Sequence, residues 1–159
     1  DVLIARLPPT AGPQGPLRVK TTPYARELPH LKHAATLGLI AARRAARLAG
    51  YDDALFNSAG VVSEGSTWNI VFVDADGLLW PEAAMLDGVT QQLIRQAWTG
   101  PQASRPVTVR QAQAMPAFAL NAGFGLAAIA AIDGVDLPPS PDAATALGAA
   151  LDSHAPQAI

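Results

Sequence analysis

Two segments of the chain carry apolar residues at helical spacing. Residues 34–49 are rich in alanine and leucine, and Gly50, which follows them, is a typical residue just past a helix end. In the segment 89–98 apolar residues lie four positions apart and define one face of a helix: Val89, Leu93 and Ala97. The pattern predicts helices over both segments.

Short apolar runs separated by turn residues predict strands. The predicted strands are 53–57 and 61–63, joined through Gly60; 69–73 and 78–80, joined by 74–77; 107–109; and 117–120 and 127–132, separated by the turn 121–125. A helical turn over 110–115 and a last helix, capped by Asp142 and ending near Leu151, complete the prediction. This order of elements indicates an α/β (α+β) fold with mostly short connections.

The first sixteen residues differ from the rest of the chain. Residues 2–7 are a β-like run without an evident partner strand, and residues 8–16 are dense in proline and glycine, which is typical of a linker. We expect residues 1–16 to be the remnant of a preceding small domain with its connection. Residues 17–159 are then expected to form one larger domain.

Composition narrows the classes of partner. The chain has 159 residues, of which 50% are hydrophobic, enough for one packed core. A charged fraction of 15% and a net charge of −2 give no electrostatic reason to expect nucleic acid or an anionic membrane. Without cysteine, disulfides and thiolate chemistry are excluded. No signal peptide or membrane span is evident, so we expect a cytoplasmic protein with a small, largely neutral ligand or a protein partner.

Lysine is scarce, which draws attention to its two positions. Lys20 and Lys32 stand against nine arginines, and Lys32 lies between Leu31 and His33, just before the first predicted helix. Apolar neighbours would desolvate an ammonium group, and desolvation favours the neutral amine that imine chemistry requires. A lysine near a helix start is otherwise an ordinary solvated residue, so both interpretations are open at this point.

Three further segments could contact a ligand. Glu64 is followed by small residues, and a carboxylate opposite a pyridine ring would keep the ring nitrogen protonated, although Glu64 could also be a solvated strand end. Residues 88–90 begin a helix, where free N–H groups favour an anion such as phosphate. The turn 121–125 could offer N–H groups to an anion or simply connect two strands. The three histidines lack metal-ligand spacing, so no metal site is predicted.

The order and spacing of these pieces resemble the class IV aminotransferases over about residues 18–137. That family includes branched-chain and D-amino-acid aminotransferases and 4-amino-4-deoxychorismate lyase. The resemblance implies the larger C-terminal domain of the D-amino-acid aminotransferase-like fold, a barrel-like mixed sheet with flanking helices, for residues 17–159. It is carried by seven segments: 31–33, 45–55, 60–70 (GVVSEGSTWNI), 80–81, 86–90 (LDGVT), 120–122 and 132–134.

The resemblance implies pyridoxal 5′-phosphate as cofactor. Lys32 would form the internal aldimine with it and later move a proton between the substrate α-carbon and the cofactor. Glu64 would pair with the pyridine nitrogen, and Leu86 would pack against the ring.

The remaining predicted contacts concern the phosphate. Gly88 would open the helix, and the N–H groups of Val89 and Thr90, with the Thr90 hydroxyl, would hold the phosphate. Asn121 and Ala122 match a second loop for phosphate or substrate carboxylate. Several transaminases have Gly-Thr or Ser-Thr there, so in this chain only backbone donation would survive.

The implied function is an aminotransferase that moves an amino group between an amino acid and a 2-oxo acid, in a protein that is usually a homodimer. A lyase that eliminates pyruvate is an alternative, as is a non-catalytic or truncated homologue. Leu37 stands where the branched-chain enzymes carry a tyrosine, which argues against that subgroup. The sequence does not decide between transaminase and lyase.

Overall fold

The computed structural model describes residues 12, 13 and 15–154, so the predicted strand at 2–7 lies outside the described residues. In this part of the chain, nine strands form one sheet and four helices accompany it. In chain order the elements are β1 Leu17–Pro23, α1 Leu37–Leu48, β2 Asp53–Ser58, β3 Val61–Gly65, β4 Asn69–Asp74, β5 Gly77–Pro81, α2 Val89–Ala97, β6 Gln102–Arg105, α3 Val109–Ala112, β7 Ala117–Asn121, β8 Gly125–Ile132, β9 Val135–Asp136 and α4 Pro141–Asp152.

The sheet is mixed and has the order β3-β2-β1-β8-β7-β4-β5-β6, with β9 beside β8. Strand β1 lies in its middle and pairs in parallel with both β2 and β8. The two predicted hairpins are antiparallel, β2 with β3 and β4 with β5, and Gly60 in the first turn has the expected positive φ of 79°. The predicted mixed α/β fold with a curled, barrel-like sheet and flanking helices is confirmed.

The strands β4, β5 and β7 are buried on both faces of the sheet, which explains why they are nearly continuous apolar runs. Successive side chains of a strand point to opposite faces. Ile70 and Phe72 of β4 therefore pack inside the curl of the sheet with Leu79, while Val71 between them packs on the other face. There Val71 belongs to a cluster with Ile94 of α2, which fixes the position of that helix.

Helix α1 covers another part of the sheet with a narrow apolar stripe. Leu39, Ala42 and Ala46 are buried, and they pack on Ala54 and Phe56 of β2. The loop that leads into α1, residues 24–36, is thereby held beside the ends of β1 and β2. Among the described residues, no helix is both long and apolar enough to cross a membrane.

Several details of the sequence prediction are wrong. A strand was expected at 107–109, but the strand in this region, β6, lies earlier, at Gln102–Arg105. Its four residues are all exposed and show no apolar pattern. Thr108 caps α3 by accepting the Gln111 N–H, so Val109 is helical. Ser140, not Asp142, occupies the N-cap position of α4.

The central strand β1 was not predicted, and α1 begins three residues later than expected. Leu17 and Val19 are buried and Arg18 between them is exposed, so β1 begins with only a short alternation of apolar and polar residues. The first turn expected at residues 34–36 belongs to the loop before α1.

Replacing Leu79 by alanine should lower the free energy of unfolding by about 2–5 kcal/mol, because it leaves a cavity inside the curled sheet. Leu79 is fully buried, whereas Leu48 on α1 is 80% exposed. The same substitution at Leu48 should change the free energy by less than about 0.5 kcal/mol. Urea unfolding followed by circular dichroism measures both, and equal losses would contradict the interior position of Leu79.

Candidate active site

A cavity of about 550 Å³ lies where the loop before α1, the end of β3, the start of α2 and the end of β7 meet. The elements come from distant parts of the sequence, and the curl of the sheet brings their ends together. The wall contains every residue to which the sequence assigned a role at the site: Lys32, Glu64, Leu86, Gly88, Val89, Thr90, Asn121 and Ala122. The structure thus shows that these eight residues line one cavity, while the role of each residue stays a prediction.

Glu64 is the buried acid of this cavity. It lies near the end of β3, and its side chain is only 4% exposed. Its Oε1 accepts a hydrogen bond from Arg26 Nε at 3.0 Å, and its Oε2 accepts one from the Leu86 N–H at 3.4 Å. Burial raises the pKa of Glu64 above its ordinary value, and the Arg26 and Leu86 contacts offset only part of that rise.

Arg26 belongs to the site but was not predicted from the sequence. Its side chain is 7% exposed and forms an ion pair with Glu64, 38 positions away in sequence. Nothing around Arg26 in the sequence distinguishes it from the other eight arginines. Only the folding of the loop after β1 onto the end of β3 shows that it belongs to the cavity.

The loop that carries Lys32 is folded by its neighbour His33. His33 Nε2 lies 2.7 Å from the Glu27 carbonyl, and the Ala35 N–H donates to Nδ1 at 3.2 Å, so both ring nitrogens bind backbone. Lys32 itself is exposed, and Leu31 is 47% exposed. The expectation that apolar sequence neighbours exclude water from this amine is therefore wrong, although Lys32 does line the cavity.

The start of α2 is held against β4 by a close contact. Asn69 is buried, its Nδ2 donates to the Leu86 carbonyl at 2.7 Å, and its Oδ1 would lie 2.0 Å from a Cβ placed on Gly88. Only glycine fits there, so its absent side chain sets how closely α2 approaches the strand. The first N–H groups of a helix have no partner within the helix. At α2 those groups belong to Val89 and Thr90 in the cavity wall.

The turn after β7 closes another part of the wall. Asn121 Nδ2 donates to the Thr67 carbonyl, and Asn121 Oδ1 accepts the Gly123 N–H at 2.6 Å. The Asn121 side chain is thus engaged within the protein. Trp68, next to Thr67, packs so closely over Gly65 that a Cβ at residue 65 would lie 1.9 Å from the indole ring.

A second cavity, of about 670 Å³, lies beyond this wall. It is larger, but of the residues predicted from sequence it contains only Asn121. Its charged residues include Arg43 and Asp53, which pair with each other at 3.4 Å. The smaller cavity is the better candidate for chemistry, because it combines a primary amine, a buried acid and a helix start.

Similarity to known proteins points to one family. The family model described as amino-transferase class IV matches residues 1–132. No curated protein sequence matches the chain. Among solved structures, a putative 4-amino-4-deoxychorismate lyase from Legionella pneumophila is 22% identical, with a TM-score of 0.82 over 91% of this chain and 58% of its own.

Two further solved structures have the same fold. The PLP-bound form of a hypothetical aminotransferase from Mycobacterium tuberculosis is 22% identical and has a TM-score of 0.78, over 88% of this chain and 57% of its own. A branched-chain aminotransferase from Thermoproteus uzoniensis, with norvaline, is 26% identical and has a TM-score of 0.77, over 86% and 50%. The chain thus spans between half and three-fifths of the length of these three proteins. With a family model matched over most of its length, the chain belongs to the class IV aminotransferase family.

Proposed function

We propose that residues 17–159 are the cofactor-binding larger domain of a pyridoxal 5′-phosphate-dependent aminotransferase, which moves an amino group between an amino acid and a 2-oxo acid. One observation carries the proposal. Lys32, Glu64 and the start of α2 line a single cavity in a chain of the class IV family. An amine, a buried acid and a helix start are the groups that an aldehyde, a pyridine nitrogen and a phosphate require.

The residues of the cavity fit the cofactor in chemistry. When bound, pyridoxal phosphate supplies an electron sink for charge developing at the substrate α-carbon. Lys32 Nζ would hold its aldehyde carbon and take up the α-proton of the substrate. The Glu64 carboxylate would hold a proton on the ring nitrogen, and the Leu86 side chain would pack on the ring.

The phosphate would lie at the start of α2. The N–H groups of Val89 and Thr90 and the Thr90 hydroxyl would donate to it, and Gly88 allows the close approach of this segment to β4. Asn121 supports the second loop indirectly, because its side chain already binds Thr67 and Gly123. Donation from that loop would come from backbone such as the Ala122 N–H.

A lyase of the aminodeoxychorismate type is the second candidate. The Asn121-Ala122 turn offers no hydroxyl, unlike the loop of several transaminases, and is compatible with this activity. The two functions differ in stoichiometry, since a lyase releases pyruvate without an amino acceptor. Measuring keto acid formed from amino donors, with and without a 2-oxo acid acceptor, separates them.

Assembly is a further part of the proposal. We propose that the protein containing this domain acts as a homodimer on small-molecule amino acids and 2-oxo acids, with neither nucleic acid nor membrane as partner. The family resemblance and the near-neutral charge support this. Sedimentation of the protein with and without cofactor tests the dimer.

Lys32→Ala should abolish covalent cofactor binding, because the only lysine in the cavity wall is removed. In the wild type, incubation with pyridoxal phosphate should give a visible absorption band, and borohydride reduction should fix the cofactor to the peptide that contains Lys32. Lys32→Ala should show neither the band nor the adduct. Absorption spectra and mass spectrometry of the digest make the measurement.

Lys20→Ala is the matched control, because Lys20 is the second of two lysines and its side chain lies near Asp133, outside the cavity. This variant should keep both the band and the adduct. A cofactor adduct on Lys20, or an unchanged band in Lys32→Ala, would exclude the proposed role of Lys32.

Glu64→Gln should keep the visible absorption band. After an amino donor is added, the band should disappear on the order of 100-fold more slowly than in the wild type, because a neutral amide no longer supports a positive ring nitrogen. Stopped-flow absorbance with D- and L-amino acids measures the rate. Glu82→Gln makes the same change at an exposed position outside the cavity and should react like the wild type. Equal rates for the two variants would disprove the assignment of Glu64.

A further inference from the structure

The ion pair between Arg26 and Glu64 is the most deeply buried one in the described part of the chain. The two side chains are 7% and 4% exposed, whereas each of the other pairs there has at least one partner that is 39% exposed or more. Burying a carboxylate without a partner is costly, and the group usually takes up a proton instead. The pair therefore favours the charged form of Glu64 and opposes the effect of burial.

The two oxygens of the Glu64 carboxylate accept hydrogen bonds of different length. Oε1 receives the guanidinium Nε at 3.0 Å, while Oε2 receives only a long contact of 3.4 Å from the Leu86 N–H. A carboxylate oxygen can accept more than one hydrogen bond. Oε2, whose one contact is long, is therefore the oxygen with more remaining capacity for a ligand in the cavity.

Other charged and titratable groups also face this cavity. Lys32 and His33 come from the loop before α1, and Asp87 comes from the segment before α2. His33 is engaged by backbone at both ring nitrogens, and Lys32 and Asp87 are exposed. Among the described residues, Arg26 is thus the buried cation in direct contact with Glu64.

We propose that Arg26 is a positioning residue that keeps Glu64 ionised and directs its Oε2 toward the ligand, so that the cavity selects a cationic ring nitrogen. The inference rests on the proposed function for the identity of the ligand. Its physical content concerns Arg26 and Glu64 alone, since the two side chains are in contact before any ligand arrives. Arg26 acts through its contact with Glu64.

The charge state of Glu64 can be measured directly in the cofactor-free 159-residue chain. The chain contains three glutamates, and Glu27 and Glu82 are both exposed, so a ¹³C-glutamate label gives one buried and two surface carboxyl signals. Glu64→Gln removes the buried signal and so assigns it. In the wild type, burial raises the pKa of Glu64, and loss of the cation in Arg26→Gln should raise it further, by about one unit or more.

Two variants distinguish this role from general stabilisation. Arg26→Lys keeps the charge but not the directed Nε bond, so it should recover about half of the shift or more. Arg18→Gln removes one positive charge from an exposed pair with Asp136 and should leave the Glu64 titration unchanged. Thermal unfolding of each variant checks that the fold is intact, and Arg26→Lys carries the test if Arg26→Gln does not fold.

The outcomes separate this inference from the proposed function. A Glu64 signal that titrates alike in the wild type and Arg26→Gln, or alike in Arg26→Gln and Arg26→Lys, would overturn the role of Arg26. A missing Lys32-dependent visible band alongside the expected titration would overturn the cofactor proposal and leave the Arg26 inference intact. In cofactor-loaded protein, a double variant of Arg26→Gln and Glu64→Gln should react no more slowly than Glu64→Gln alone, because Arg26 acts through Glu64.

Discussion

A charged acid inside a protein needs hydrogen-bond donors, and Glu64 obtains its donors from two different segments. One oxygen accepts from Arg26, in the loop after β1, and the other accepts from the Leu86 backbone, ahead of α2. The acid therefore joins the end of β3 to the two segments that carry the lysine and the helix start. The same contacts that make its burial tolerable also bring the other groups of the cavity together.

Much of the fold could be predicted because local patterns and tertiary packing agree. The helices α1 and α2 show apolar faces, and the hairpins combine apolar runs with turn residues, so each element is visible within a short window. Strand β6 could not be found in this way. It consists of four exposed residues, and its pairing with β5 is decided by the position of the sheet edge, not by an apolar pattern of its own.

The site was predicted by resemblance more than by local chemistry. The order of the motifs selected eight residues that lie in one cavity wall, whereas the local argument for Lys32, desolvation by its sequence neighbours, failed because that loop is exposed. Arg26 could not be predicted from its sequence neighbours. Its importance comes from one contact with Glu64, 38 positions away, and a contact of this kind produces no periodic pattern in the sequence.

The wall formed by the turn after β7 and the loop after β3 has a wider consequence. Thr67, Trp68, Asn121 and Gly123 line both cavities, so a single layer of residues separates two compartments. Each of these four residues therefore shapes two surfaces at once. A substitution among them alters the space beside the buried acid and the space behind the partition together.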